Sequence, residues 1–246
     1  MWYDHGCHAN GAARACHPLC AEVLKGCHMD MTLRCGRSEL PIHFPDDAVV
    51  YESQYPPSED VTVGELIAEV LSRPIQSPPL VDKLQVRRQG DVAIVISDIT
   101  RPIPYRDVLG ELLKTIESAG VPREEIIILV ATGMHRASTR GEWVEMVSEE
   151  IVENYRMDDH HADIEDELVE LDEKSFTGST VKVNRIYAEA GFRIITGLVE
   201  PHFMAGFSGG RKSICPGLVS TETVEKFHGY EMLADIRART GLLEGN

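Results

Sequence analysis

Two uninterrupted apolar runs constrain this chain more than anything else in it. DVAIVIS at 91–97 and EIIILVATG at 125–133 are rich in β-branched residues and do not alternate with polar ones. A strand wetted on one face alternates apolar and polar side chains, so runs of this kind belong to strands covered on both faces. Between them, YRDVLGELLKTIESAG at 105–120 has apolar residues at helical spacing and ends in Gly120, suited to the left-handed conformation that closes many helices. VGELIAEVLSR at 63–73 and the stretch from Trp143 to about Tyr155 are also helical in spacing. VKVNRIY at 181–187 and FRIITGLV at 192–199 add two further apolar runs. Strands separated by helices predict an α/β fold, a mostly parallel sheet with helices on both faces.

The first thirty residues read differently. Cys7, His8, Cys16, His17, Cys20, Cys27 and His28 are all competent zinc ligands, but there is no Cys-x-x-Cys pair, and Pro18 lies inside the nearest approach, Cys16 to Cys20. Residues 1–30 are therefore expected to be a disordered, atypical extension, with Met31 as the functional start. From there MTLRCGRSELPIHFPDD places two apolar runs around a Gly-Arg-Ser turn, as in a hairpin. Five of the six cysteines fall in the first 35 residues, which is no framework for a disulfide-stapled domain.

A formal net charge of −16, with no basic run to offset it, argues against a nucleic-acid partner. No apolar run approaches the roughly 20 residues that span a bilayer, which argues against a membrane partner. The start lacks a basic segment followed by an apolar one, so the default address is the cytoplasm. EDELVELDE at 165–173, preceded by Asp158, Asp159 and Asp163, is read as a solvated, charge-rich connection, because no Gly-punctuated calcium-loop spacing supports a metal cluster.

In a parallel sheet, functional groups gather at the carboxyl edge of the strands. DVAIVIS releases into Asp98-Ile99-Thr100-Arg101-Pro102, where Pro102 and Pro104 stiffen the loop. Arg101 there could clamp a carboxylate with two parallel hydrogen bonds, or could pair with Asp98 and only shape the loop. EIIILVATG releases into Met134-His135-Arg136, and His135 is either a general base or a loop hydrogen-bonder. The densest segment runs from Glu200-Pro201-His202 through Gly209-Gly210-Arg211-Lys212-Ser213 to Pro216-Gly217. It is not a phosphate loop: Arg211 stands where that motif needs Gly, and Pro216-Gly217 breaks the helix that should follow. Ser220-Thr221-Glu222 then looks like a capped helix start, with His228 near the second turn. A neutral His on a helix suits a soft or borderline metal such as zinc, copper or nickel, although an isolated one is more often a packed or surface residue.

Together these segments resemble the nickel-dependent lactate racemase family, which racemises or epimerises 2-hydroxy acids. The resemblance rests on Asp98-x-x-Arg101-Pro102, Gly133-Met134-His135-Arg136, His202 ten residues before Lys212, and His228 sixteen after it, and it covers residues 31–246. It implies a nickel-pincer nucleotide, a pyridinium-3,5-bisthiocarboxylic acid mononucleotide, tethered by a thioamide to Lys212 with nickel ligated by His228. It further implies His135 and His202 as a paired acid and base, Arg101 as the substrate-carboxylate anchor and Asp98 as a cofactor or histidine-orienting contact. Cofactor-synthesis proteins are the implied partners. Family members continue into a second domain, and this sequence stops at Gly241-Leu242-Leu243-Glu244-Gly245-Asn246, about where that domain would begin. The expectation is an N-terminal α/β portion. Its alternative to catalysis is a cofactor-binding fragment, or a split subunit that needs the second domain.

Overall fold

The computed structural model describes residues 29–246 except 37, 46–47, 50–60 and 176–177. The candidate zinc ligands between Cys7 and His28 lie outside the described residues. The described residues fall into two compact units, one before residue 61 and one over 61–246. In the first, the expected hairpin forms: β1 (Met29–Cys35) pairs antiparallel with β2 (Ser38–Phe44), with Met31 opposite Ile42. The pairing takes in Met29 and Asp30, two residues ahead of the expected start.

The second unit opens with α1 (Val63–Ser72), whose first turn is fixed by a reciprocal cap between Thr62 and Glu65, and α2 (Leu80–Gln85). Then come β3 (Val92–Ser97), α3 (Tyr105–Ser118), β4 (Ile126–Ala131), α4 (Arg140–Val147), α5 (Glu149–Asn154) and β5 (Arg156–Asp159). An antiparallel pair, β6 (Leu168–Glu170) and β7 (Lys182–Asn184), and α6 (Arg185–Glu189) lead to β8 (Phe192–Ile195). The chain finishes with a small hairpin of β9 (Pro201–His202) and β10 (Gly206–Phe207), then α7 (Thr221–Phe227) and α8 (Tyr230–Leu233).

Four strands make the main sheet in the order β5-β4-β3-β8, every pair parallel, as the apolar runs predict. The period of two divides their side chains between two cores. Val92, Ile94, Ile96, Ile126, Ile128 and Val130 face one core, shared with Leu109, Leu112 and Ile116 of α3, Val147 of α4 and Ile151 of α5. Val95 and Leu129 face the other, shared with Val183 of β7, Val224 of α7 and the intervening Leu218 and Val219. Each such side chain is worth about 1.5–3 kcal/mol on full burial. No helix among the described residues is long and apolar enough to cross a membrane.

Five local readings change. The helical stretch around Trp143 is two helices, because Ser148 adopts φ 103° and its hydroxyl accepts from the Ile151 N–H. β5, with the sequence RMDD, is a strand that apolar patterning does not reveal. Of VKVNRIY only Lys182–Asn184 is extended, since the Asn184 side chain caps α6 by accepting from Tyr187 N–H; of FRIITGLV only Phe192–Ile195 is. The acidic stretch is not wholly a solvated connection: it contains β6, whose Leu168 is buried.

The end of β3 is held by Tyr105, fully buried at the start of α3, whose hydroxyl accepts from the Ser97 N–H at 2.6 Å. Tyr105→Phe keeps the ring and removes that acceptor. Leaving the N–H without a partner is expected to destabilise the protein by roughly 1–3 kcal/mol, read from urea unfolding. A loss below about 0.3 kcal/mol would show that water replaces the hydroxyl.

Candidate functional site

Three strand ends converge on one cleft. β3, β4 and β8 deliver their carboxyl-terminal loops to the same edge, and the α7 end closes one side of a cavity of about 400 Å³. Asp98, Arg101, His135, His202, Lys212 and His228 all line it. The six residues that the family resemblance assigns to the site are thus brought to one place.

Asp98 is 7% exposed, and its carboxylate does not go to Arg101. Oδ2 accepts from His135 Nδ1 at 2.5 Å, while Oδ1 accepts from the Thr100 hydroxyl at 2.6 Å and the Thr100 N–H at 3.3 Å. The link to Arg101 is only through the main chain, its N–H donating to the Asp98 carbonyl at 3.1 Å. The loop-shaping ion pair is therefore not formed, and the Arg101 guanidinium has no carboxylate partner among the described residues. Arg136, next to His135 in the loop after β4, is committed: it forms a two-pronged pair with Glu142 at 2.6 and 2.8 Å.

The two histidines are held in opposite tautomers. His135 donates Nδ1–H to Asp98, which leaves its Nε2 lone pair available as a base. His202 sits in the β9–β10 hairpin, where Nδ1 accepts from the Met204 N–H at 3.3 Å and the Ala205 N–H at 3.2 Å, which puts the proton of the neutral ring on Nε2. Burial first, then the positive charges of Lys212 and Arg101, pushes the His202 pKa below the ordinary histidine value. The hairpin itself is fastened from the chain's last residues: the Gly206 carbonyl accepts from Gly241 N–H at 2.9 Å, and the Asn246 side chain donates to the Met204 carbonyl at 3.0 Å. Gly206 has φ +72°, and a Cβ there would fall 1.8 Å from the Leu242 carbonyl oxygen, so only glycine permits this approach.

Lys212 lies in a single 3₁₀ turn, Gly210–Ser213, anchored by the Ser213 hydroxyl donating to the Thr196 carbonyl at 3.1 Å. No α-helix opens at Lys212, in keeping with rejection of the phosphate loop. Burial, then the neighbouring Arg101 charge, lowers the Lys212 pKa and so favours the neutral, nucleophilic amine. His228 is the C-terminal cap of α7, at the end of the second turn, its N–H bonded to the Val224 carbonyl at 2.9 Å. Ser220 caps the other end, accepting from Thr223 N–H.

Sequence reasoning missed Asp159. It is 3% exposed at the tip of β5, and its carboxylate accepts from the Ser138 N–H at 2.7 Å, the Ser138 hydroxyl at 3.0 Å and Trp143 Nε1 at 3.3 Å. It pins the far end of the loop that carries His135. Its signal, an Asp at a strand tip, was hidden because the strand is short and polar.

The family model described as lactate racemase N-terminal domain matches residues 35–241. The chain is 34% identical over 215 residues to a lactate racemase of Thermoanaerobacterium thermosaccharolyticum, which takes in 86% of this chain and 49% of that protein. It is 38% identical over 184 residues to a lactate racemase of Lactiplantibacillus plantarum, 74% of this chain and 42% of that one. Among solved structures, the lactate racemase apoprotein from T. thermosaccharolyticum superposes with a TM-score of 0.72 at 32% identity, covering 89% of this chain and 50% of that one. A crystal structure of a Thermotoga maritima protein gives 0.58 at 26% identity, covering 76% and 45%. The chain spans about half the length of these relatives.

Asp98→Asn keeps the side chain's shape and gives up its charge. Ring-nitrogen NMR is expected to show His135 passing from the Nδ1–H form to a mixture of tautomers, with Tm within about 4 °C of wild type, the equivalent of ~1 kcal/mol. An unchanged His135 ring would show that Asp98 does not set it.

Proposed function

Because the chain belongs to the lactate racemase family through its N-terminal domain, we propose that it racemises or epimerises a 2-hydroxy acid, lactate or similar, by reversible hydride transfer to a nickel-pincer nucleotide tethered to Lys212. The observation that supports this reading is the meeting, in one cleft, of an arginine without a carboxylate partner among the described residues, two histidines in opposite tautomers and a lysine of lowered basicity. The donor set suits the group. A half-buried neutral amine is the form of Lys212 that can enter a thioamide, and the His228 imidazole is a fitting ligand for nickel. When bound, the nucleotide supplies the hydride acceptor.

The α-proton of a 2-hydroxy acid is too weakly acidic to remove readily, so the centre inverts through the planar 2-keto acid. Arg101 holds the substrate carboxylate with two parallel hydrogen bonds while the keto acid turns. His135 takes the hydroxyl proton at Nε2, and Asp98 holds its ring and stabilises the imidazolium that results. His202, delivered by a separate hairpin, is the second member of the pair: with its proton on Nε2 it presents a donor, and to take the hydroxyl proton of the other enantiomer its ring must first pass to the Nδ1–H form and give up the Met204 and Ala205 N–H contacts. Of the two parts considered for Asp98, the bond to His135 supports histidine orientation. The reading carries with it a small substrate, cofactor-synthesis proteins as partners and a cytoplasmic location. The chain spans about half the relatives' length, and a second reading concerns these residues by themselves: they bind the cofactor and turn over only beside a second domain.

The test is co-expression with cofactor-synthesis enzymes, followed by intact mass, nickel content and racemisation in an assembly that includes a second domain. A mass increase absent from Lys212→Ala is expected, with nickel lost in His228→Ala and kept in His135→Ala and His202→Ala. Either of the last two is expected to slow racemisation in both directions by roughly 10²–10⁴-fold. Arg101→Lys is expected to weaken substrate binding with little change in Tm, because lysine keeps the charge and loses the fork. No adduct on Lys212, or racemisation near wild type without either histidine, overturns the proposal. Adduct and nickel without turnover, even beside a second domain, decides for the binding-fragment reading.

A further inference from the structure

His160 lies outside the cleft and is 1% exposed, immediately after β5. A fully buried imidazole is costly unless both ring nitrogens are satisfied. Both are. Nε2 lies 3.0 Å from the Val219 carbonyl, to which it donates, and Nδ1 lies 3.3 Å from Asn184 Nδ2, from which it accepts. The Asn184 amide cannot turn over freely, because its Oδ1 caps α6 by accepting from Tyr187 N–H at 3.3 Å. The tautomer of His160 is therefore dictated by its surroundings.

What this side chain grips is a segment that joins the Lys212 turn, the His135 loop and α7. Gly217 N–H donates to the Lys212 carbonyl at 3.3 Å, and the Gly217 carbonyl accepts from Gly133 N–H, in the His135 loop, at 3.0 Å. Leu218 and Ser220 bond to Asn184 and Lys182 of β7 at 2.8 and 3.0 Å. Ser220 caps α7, which ends at His228. The His160 carbonyl also accepts from the Thr132 hydroxyl, one residue before Gly133. We propose that His160 is a positioning residue: by holding Val219 it sets where Lys212 and His228 stand relative to the His135 loop. The proposal rests on the reading above that these three residues work in one cleft. Burial lowers the His160 pKa, the Val219 hydrogen bond opposing it, and this favours the neutral ring that the bonds require.

Three variants of the whole chain separate this role from general stabilisation, read by amide hydrogen exchange. His160→Gln reaches about as far as Nε2 and keeps a donor for Val219; His160→Leu keeps volume and loses both bonds. In the Leu variant the Gly133, Gly217 and Leu218 amides are expected to exchange at least tenfold faster relative to Ile94 and Ile128, since a buried group left without its partner favours local opening of the segment it held. The His228 ring signals should shift as well, and Gln should restore both readouts. If Leu fails to fold, His160→Asn makes the same comparison, because it can meet Asn184 but cannot reach Val219. Equal acceleration of all amides, no change at the three named, or Gln behaving like Leu or Asn overturns the proposal. None of these readouts needs the cofactor, so its failure is distinct from failure of the adduct and nickel test.

Discussion

Burial of β3 and β4 on both faces is the constraint from which the rest follows. Their middle residues are apolar on both sides and completely paired within the sheet, so they offer no chemistry. Polar side chains are pushed to where the strands stop, and the parallel arrangement makes them all stop at the same edge. The cleft is a consequence of the sheet rather than an addition to it. Asp98, one residue past β3, can be buried because it meets His135 and Thr100 from two directions.

Within the cleft, placement of charge does as much as choice of residue. Arg136 is consumed by Glu142, whereas Arg101 is not paired with the nearest carboxylate, because that carboxylate is consumed by a histidine. The same Arg101 lowers the basicity of both His202 and Lys212, together with their burial. One cation thus prepares the site for an anion and makes the protonated forms of its neighbours less favourable. The opposite tautomers of the two histidines come from what each Nδ1 meets, a carboxylate in one case and two backbone N–H groups in the other.

The parts legible in the sequence were those with a strong local signal. Continuous apolar runs announced β3 and β4, helical spacing announced α1 and α3, and clustered polar residues after each strand pointed to the site. What stayed hidden depends on contacts distant in sequence. RMDD becomes β5 only because β4 offers an edge to pair with. Leu168–Glu170 and Lys182–Asn184 find each other across an acidic, irregular stretch. Asp159 and His160 look like part of a solvated run of charge, and only the fold turns them inward. Ser148, which ends one helix and begins the next, carries no breaker signal of the Gly or Pro kind.

The contact between Gly206 and Leu242 has a mechanical meaning. The two N–H groups that hold the His202 ring belong to a turn only a few residues long, and residues 241–246 grip that same turn at Gly206 and Met204. There is little slack between the grip and the imidazole. The last residues and one wall of the cleft thus share a single turn, while the opposite wall is built on the sheet. The orientation of His202 works like a needle whose zero is set from the end of the segment rather than from the core.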